Sequence, residues 1–166
     1  EVPFLRDKSL ADDFTGTFAV VKDAYLKLKN FFSSLDTVCC IYATAPLLKA
    51  KHLQEAYNLM QNAQAKSVIS ICEFPFPIQR AFVKDDNGNL SYREPKYAPM
   101  RSQDLQKCYQ DCGLFYFYDK SCFEYAKDYQ SIGYAMPRHR DIDIDTPEDW
   151  DYACAMAKAV EELKLD

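Results

Sequence analysis

Two runs decide the fold: TVCCIYAT at residues 37–44 and SVISICEF at residues 67–74. Both are continuous, β-favouring and apolar, without the polar alternation of a strand that has one wet face. The first therefore reads as a strand covered on both sides, central in a parallel sheet, and the second as another buried strand. Helical patterns lie on either side of the first run. Phe18, Val21, Tyr25, Leu28 and Phe32 recur at three- and four-residue spacing between Phe14 and Phe32, with Asp13 and Thr15 as candidate caps. After Pro46, residues Leu53, Ala56, Leu59 and Met60 mark one face of a second helix ending near Asn62.

The rest of the chain keeps this rhythm. Val2–Leu5 reads as a short strand, and Leu114–Tyr118 as a short aromatic strand followed by a short helix through Tyr125. Pro75 and Pro77 break the pattern after residue 74, and Asn87-Gly88 favours the positive torsions of a turn, predicting a hairpin within Gln79–Tyr92. Thr146-Pro147-Glu148-Asp149 opens a last helix whose apolar face is Trp150, Ala153, Met156 or Ala157, and Val160. Strands alternating with helices predict an α/β sandwich with a mostly parallel sheet, a single domain over residues 1–166.

Composition narrows the function classes. With 20 Lys and Arg against 25 Asp and Glu, the formal net charge of −5 gives no general attraction to nucleic acid or anionic lipid. An anionic substrate needs a local basic site. No apolar run approaches the roughly 18 residues of a membrane span, and EVPFLRDKSL lacks the parts of a signal peptide, so the expectation is a soluble, cytoplasmic protein. Seven cysteines, with Cys39 and Cys40 adjacent, read as packed thiols. Cys108 and Cys112 have no second Cys or His pair at matching distance for zinc.

Chemistry concentrates in RDIDIDTPEDW, residues 140–150. Strand alternation places Asp141, Asp143 and Asp145 on one face, where three carboxylates repel one another unless a cation such as Mg²⁺ sits among them. The same acids could equally flank a helix N-terminus in solvent. His52 and His139 are single and read as surface or helix residues rather than catalytic bases.

The string DIDTPEDW, with Leu5-Arg6 followed by DDFTGT (12–17), IYATAPLL, EFPFPIQRA and RSQDL, resembles the acylneuraminate cytidylyltransferase family from the first residues to the last helix. The pairing of FPFPIQRA with RSQDL looks most like its pseudaminic acid branch. The resemblance implies a Rossmann-like nucleotidyltransferase sandwich, with residues 79–100 as a hairpin insertion serving a homodimer. It implies Mg²⁺ on Asp143 and Asp145, with Asp141 additional, and nucleotide contacts from Arg6 and Thr17. Arg101 resembles the basic residue that meets the sugar carboxylate, with Ser102 the alternative register. Tyr116 falls beside the sugar pocket, Tyr42 stands where the sialic acid branch has glutamine, and Gln79 and Arg80 become sugar-facing candidates. The implied reaction is attack of the anomeric hydroxyl of a nine-carbon acidic sugar on the α-phosphorus of CTP, releasing pyrophosphate. The alternatives are CMP-N-acetylneuraminate synthesis, or a binding or assembly module without catalysis.

The family's Gly- and basic-rich loop of the RGGSKR type has no counterpart among these residues: Gly16, Gly88, Gly113 and Gly133 are isolated. The resemblance makes this the C-terminal portion, beginning where the family's third strand begins. The 166-residue chain assayed alone is therefore expected to make no CMP-sugar from CTP, pseudaminic acid and Mg²⁺. Losing one oxyanion or phosphate donor costs about 10² to 10³ in rate, and a whole loop more. Robust pyrophosphate release by a sample whose intact mass matches these residues overturns that expectation.

Overall fold

The computed structural model describes residues 2–125 and 129–165. In chain order the main elements are α1 (Thr17–Leu28), β1 (Thr37–Ile41), α2 (Ala50–Asn62), β2 (Ser67–Glu73), β3 (Phe82–Lys84), β4 (Leu90–Tyr92), β5 (Tyr109–Asp119), α3 (Ser121–Glu124), β6 (Ser131–Ala135) and α4 (Pro147–Glu162). Four strands form one sheet in the order β1-β5-β2-β6, and β3 pairs with β4 in a separate hairpin.

The α/β sandwich is as expected, but its pairing is not mostly parallel. Strand β5 runs antiparallel to both β1 and β2, while β2 and β6 are parallel. Three strands share one direction and the longest opposes them. The run at 37–44 is therefore not central among the described residues: β1 pairs on one side with β5. Apolar composition reports burial of both faces, and a strand flanked by helices is covered whether it is central or at an edge.

Alternation along β5 divides the interior into two cores. Phe115 and Phe117 pack with Val68, Ala56 and Met60 on the α2 side. Tyr118, with the half-buried Tyr116, packs on the other side against Val21 and Tyr25 of α1 and Phe123 of α3. Phe18 stacks on Phe123 at 5.5 Å and meets Tyr118 edge-on at 5.6 Å. The Tyr25 hydroxyl donates to Glu124 Oε1 at 2.6 Å; burial and then that carboxylate push its pKa up to about 12.

The helix boundaries follow local chemistry. The Asp12 carboxylate accepts from the N–H groups of Phe14 and Thr15, so the chain turns one residue later than the expected caps and Gly16 becomes the N-cap of α1. His52, in the first turn of α2, is buried, and its Nδ1 accepts the Lys49 N–H at 3.2 Å. The cap of α4 is as read: Thr146 and Asp149 satisfy each other's N–H groups, with Pro147 in the first turn. Its apolar face is narrower than expected, because Ala153 is buried whereas Trp150 is 59% exposed.

Two expected strands are absent. Residues 2–5 join no ladder, and Val2 and Leu5 stand exposed. Residues 141–145 join no ladder, because their path is set from both ends. Arg140 is buried, donating to the carbonyls of Leu47 (2.9 Å) and Leu165 (2.7 Å). At the other end the N–H groups of Asp145 and Thr146 are taken by Asp149. Conversely, β6 is an element that the sequence reading passed over. Gly133 interrupts its apolar pattern because Ile71 packs there: an added Cβ would lie 2.2 Å from Ile71 Cδ1.

The hairpin β3–β4 is as read, with a five-residue loop at 85–89. The Asp85 carboxylate accepts the N–H groups of Asn87 and Asn89, and Gly88 takes φ +87°. The rings of Phe82 and Tyr92 meet across it at 4.4 Å.

The ladder between β2 and β5 is broken at one point. Ile69 pairs with Tyr116, but Ile71 pairs with Asp111, so β5 carries a bulge opposite Ser70. Leu114 and Phe115, adjacent in sequence, consequently both enter the α2-side core. The peptide group released by the bulge finds another partner, Phe115 N–H donating to Ser70 Oγ at 3.1 Å, while Tyr42 N–H, donating to Leu114 O at 3.0 Å, continues the β1–β5 register. Ser70 is wholly buried. Ser70→Ala should therefore leave a buried N–H without an acceptor and cost about 1–3 kcal/mol; a urea midpoint equal to that of the parent protein would count against this role.

Candidate active site

Strands β1, β2 and β6 end at the same edge of the sheet, and the bulge of β5 opens toward it. Crevices outside the carboxyl ends of parallel strands are where α/β sheets bind ligands. Gly113 is the pivot of the bulge. It adopts φ +62°, a torsion that glycine takes without steric cost, and its N–H donates to Asp111 Oδ1 at 2.9 Å.

That turn aims three side chains into one place. The Tyr116 hydroxyl donates to Asp111, 3.0 Å from each carboxylate oxygen. The Tyr116 ring lies 5.6 Å from that of Tyr42. Tyr42 in turn shares a hydrogen bond with Thr17 Oγ1 at the first residue of α1. Burial, then the Asp111 carboxylate and Tyr42, raise the pKa of Tyr116 well above the usual phenol value, so the ring remains neutral.

Asp143 approaches the pivot from the opposite side. A Cβ on Gly113 would stand 2.9 Å from Asp143 Oδ2, so glycine lets this carboxylate lie against the backbone without being displaced. Asp143 Oδ1 is buried without a hydrogen-bond partner. An acceptor in that condition suits a hard cation, which takes oxygen ligands. Among the described residues no three His, Cys, Asp or Glu side chains converge as a cage. A cation held by Asp143 and Asp145 would draw its remaining ligands from water and phosphate, as Mg²⁺ does. Asp145 is exposed at the foot of α4.

Asp141 departs from the expected row of acids. Its carboxylate accepts from Gln110 Nε2 at 3.0 Å and lies against the buried thiols of Cys72 and Cys112. Burial first, then Asp141, pushes the Cys72 thiol up to about 11. Asp141 thus ties the acidic loop to β5 and β2.

The remaining predicted residues form a second group where β2 runs out. Phe74 N–H donates to Cys108 O, and Gln79 Nε2 reaches Gln106 O at 2.8 Å and Cys108 Sγ at 3.3 Å. Arg80 donates to Ser102 Oγ at 3.2 Å and, with Phe74, Phe76 and Ile78, lines a cleft of about 390 Å³. Gln79 Oε1 and Arg80 Nε are buried without partners. Arg101 is bidentate to Asp104, at 2.7 and 3.1 Å, and exposed. Arg6 is exposed, with its charge beside Cys40 on β1.

Sequence reasoning thus named Thr17, Tyr42, Tyr116 and Asp143, which the fold brings together around Gly113. It missed Asp111 and Ser70. The available signal was the Asp111-Cys112-Gly113 string, an acid two residues before a glycine, which is the pattern of a side-chain-capped turn.

No family model matches the chain. It is 39% identical to the pseudaminic acid cytidylyltransferases of Campylobacter jejuni subsp. jejuni serotypes O:2 and O:23/36, over 98% of its own length and 71% of theirs. The chain belongs to the pseudaminic acid cytidylyltransferase family. A Helicobacter pylori protein, pseudaminic acid cytidylyltransferase and UDP-2,4-diacetamido-2,4,6-trideoxy-beta-L-altropyranose hydrolase, is 31% identical over 72% of this chain and 23% of its own. The fold also matches 4-diphosphocytidyl-2C-methyl-D-erythritol synthase from Anaerococcus prevotii, with a TM-score of 0.51 at 14% identity, over 81% of this chain and 64% of that one. This member of the pseudaminic acid cytidylyltransferase family thus shares the fold of that synthase, and the bulge of β5 is where it gathers Asp111, Tyr116 and Asp143.

Gly113→Ala places a methyl against Asp143 in a left-handed backbone. It should destabilise the protein by about 1–3 kcal/mol in urea titration. An unchanged midpoint would remove Gly113 from its place as pivot.

Proposed function

We propose that this protein transfers CMP from CTP to pseudaminic acid, releasing pyrophosphate. The observation that carries the reading is the unpartnered, buried Oδ1 of Asp143, held beside the hydroxyl group cluster at the carboxyl edge of the sheet. Asp143 and Asp145 would hold Mg²⁺, with Asp141 bracing their loop. The chemistry supplied by the bound ion is neutralisation of the triphosphate charge as the bond to the α-phosphorus is exchanged.

The chain's own residues bind and orient. Arg6 and Thr17 meet the nucleotide. Tyr42 and Tyr116 line the passage between nucleotide and sugar. Arg101 receives the sugar carboxylate by exchanging it for Asp104, a swap that costs little because the ion pair is exposed. Arg80, lining the cleft where β2 ends, and the neighbouring Gln79, each with an unpartnered polar atom, meet the sugar. The anomeric hydroxyl is thereby set in line with the α-phosphorus, and positioning with charge neutralisation accounts for most of the acceleration.

The hairpin supports a homodimer. Phe82, Val83 and Leu90 are each more than half exposed, an apolar patch that a second copy would cover. No described helix is long and apolar enough to cross a membrane, and we place the enzyme in the cytoplasm, where CTP is made.

In the protein at its natural full length, Asp143→Asn and Asp145→Asn should each lower kcat about 100-fold or more with unchanged circular dichroism. Asp141→Asn should cost less, because it braces rather than binds. Unchanged turnover and Mg²⁺ dependence in the Asp143 variant would sink the proposal.

A further inference from the structure

The segment EFPFPIQRA, residues 73–81, leaves strand β2 and closes in a single turn, Ile78–Arg80, whose two polar side chains each keep one buried atom without a partner. On Gln79 that atom is an acceptor. Nε2 donates to Gln106 O at 2.8 Å and to Cys108 Sγ at 3.3 Å, which spends both amide protons and leaves Oε1 buried with nothing to accept. On Arg80 it is a donor. Nη1 reaches Ser102 Oγ at 3.2 Å, while the Nε–H is buried with no acceptor. Buried polar groups of a native protein normally find partners, so an unmet acceptor and an unmet donor on consecutive residues point to a ligand that brings both complements.

The surroundings narrow what that ligand is. The cleft of about 390 Å³ that Arg80 lines is walled by Phe74, Phe76, Ile78 and Ala81, with Pro75 and Pro77 contributing no N–H, and no acidic side chain lines it. Consecutive residues of a 3-10 turn project about 120° apart, so Gln79 and Arg80 present their atoms separately. One hydroxyl oxygen serves such a pair poorly and leaves the apolar walls facing water. A carboxylate accepts from Arg80 but carries no proton for Gln79. An acylamino group meets all three features: its carbonyl accepts from Arg80 Nε, its N–H donates to Gln79 Oε1, and its methyl lies on the apolar walls. The carbonyl and N–H of a trans amide point in opposite directions, as two separated partners require.

We propose that Gln79, Arg80 and this cleft form a subsite for an acylamino substituent of the sugar, and that they set the preference for an N-acetylated substrate over its hydroxylated counterpart. The inference rests on the reading above in which these residues meet the sugar, and pseudaminic acid carries acetamido groups where common sugars carry hydroxyls. In that reading Arg101 takes the carboxylate. Ser102, which follows it directly, is bonded to Arg80, so the two anchors lie on either side of one residue.

The test uses the protein at its natural full length with CTP and Mg²⁺, and compares pseudaminic acid with analogues in which each acetamido group in turn is replaced by a hydroxyl. The readout is kcat/KM for pseudaminic acid divided by that for each analogue. Arg80→Lys keeps the charge and removes the Nε–H, and Gln79→Met removes the amide oxygen. For the analogue altered at the position the subsite reads, the ratio should fall about tenfold or more in both variants, the worth of one buried hydrogen bond. Where turnover is too low to measure, sugar affinities by calorimetry give the same ratio. Phe76→Ala leaves the core intact, because Phe76 is 78% exposed, and by opening one wall it should raise use of an N-propanoyl sugar relative to the N-acetyl one several-fold. A parent protein indifferent to the acetamido groups overturns the inference. So do variants that lose all the sugars equally, which would make Gln79 and Arg80 supports of the 102–108 segment or ligands of the carboxylate, with CMP transfer left standing. A parent protein that makes a CMP-sugar from none of these substrates overturns the proposed function instead.

Discussion

A single mismatch in strand pairing organises this protein. Between Ile69 and Ile71 of β2, the opposing strand advances from Tyr116 to Asp111, and the excess chain has to be accommodated without stranding peptide groups in the interior. It is accommodated by a buried serine hydroxyl under the Phe115 N–H and by a left-handed glycine capped with an aspartate. Each of these groups is then pinned, and Asp111, Tyr116 and Asp143 gather at the pinned segment. The candidate site around Gly113 is built from the repairs that the bulge required.

The two cores show why such a bulge is tolerated. Above it, β5 alternates strictly, with Phe115 and Phe117 toward α2 and Tyr116 and Tyr118 toward α1. Aromatic contacts among Phe18, Tyr25, Tyr118 and Phe123 bind α1 and α3 to one face, independently of what happens lower in the strand. Burial of such rings contributes on the order of 1.5–3 kcal/mol each. The lower half of β5 is thus free to leave regular geometry and carry polar groups.

Charge is handled locally. The chain is acidic overall, yet its proposed ligands are anions, and the structure answers this with separated cations rather than a basic surface. Arg6 and Arg101 are exposed and available for exchange, whereas Arg140 is buried and spent on two carbonyls that hold the acidic loop and the end of the chain in place. Asp141, placed between Gln110 and two buried thiols, does similar work from the other side. Asp143 is left as the acid whose oxygen remains unsatisfied inside the protein.

Helices α1, α2 and α4, strands β1 and β2 and the β3–β4 hairpin were determined by the sequence alone, because their cues are local: spacing of apolar residues, proline stops, an Asn-Gly turn and a capping box. The family was legible through motif order, and the same motifs named the acid at 143, the threonine at 17 and the tyrosines at 42 and 116 as site candidates. Pairing direction was not, since burial on both faces reads alike for parallel and antiparallel neighbours. Strand β6 was hidden by a glycine whose reason is Ile71, a partner more than sixty residues away in the chain. Nor could residues 141–145 be told from a strand, because their alternation is real while the ladder partner that would make them one does not exist among the described residues. The roles of Ser70, Asp111 and Gly113 arise only when β5 is laid against β2 in its shifted register. Hydrogen bonds between residues distant in sequence have no periodicity to announce them, and tertiary structure alone decides which buried peptide group needs which side chain.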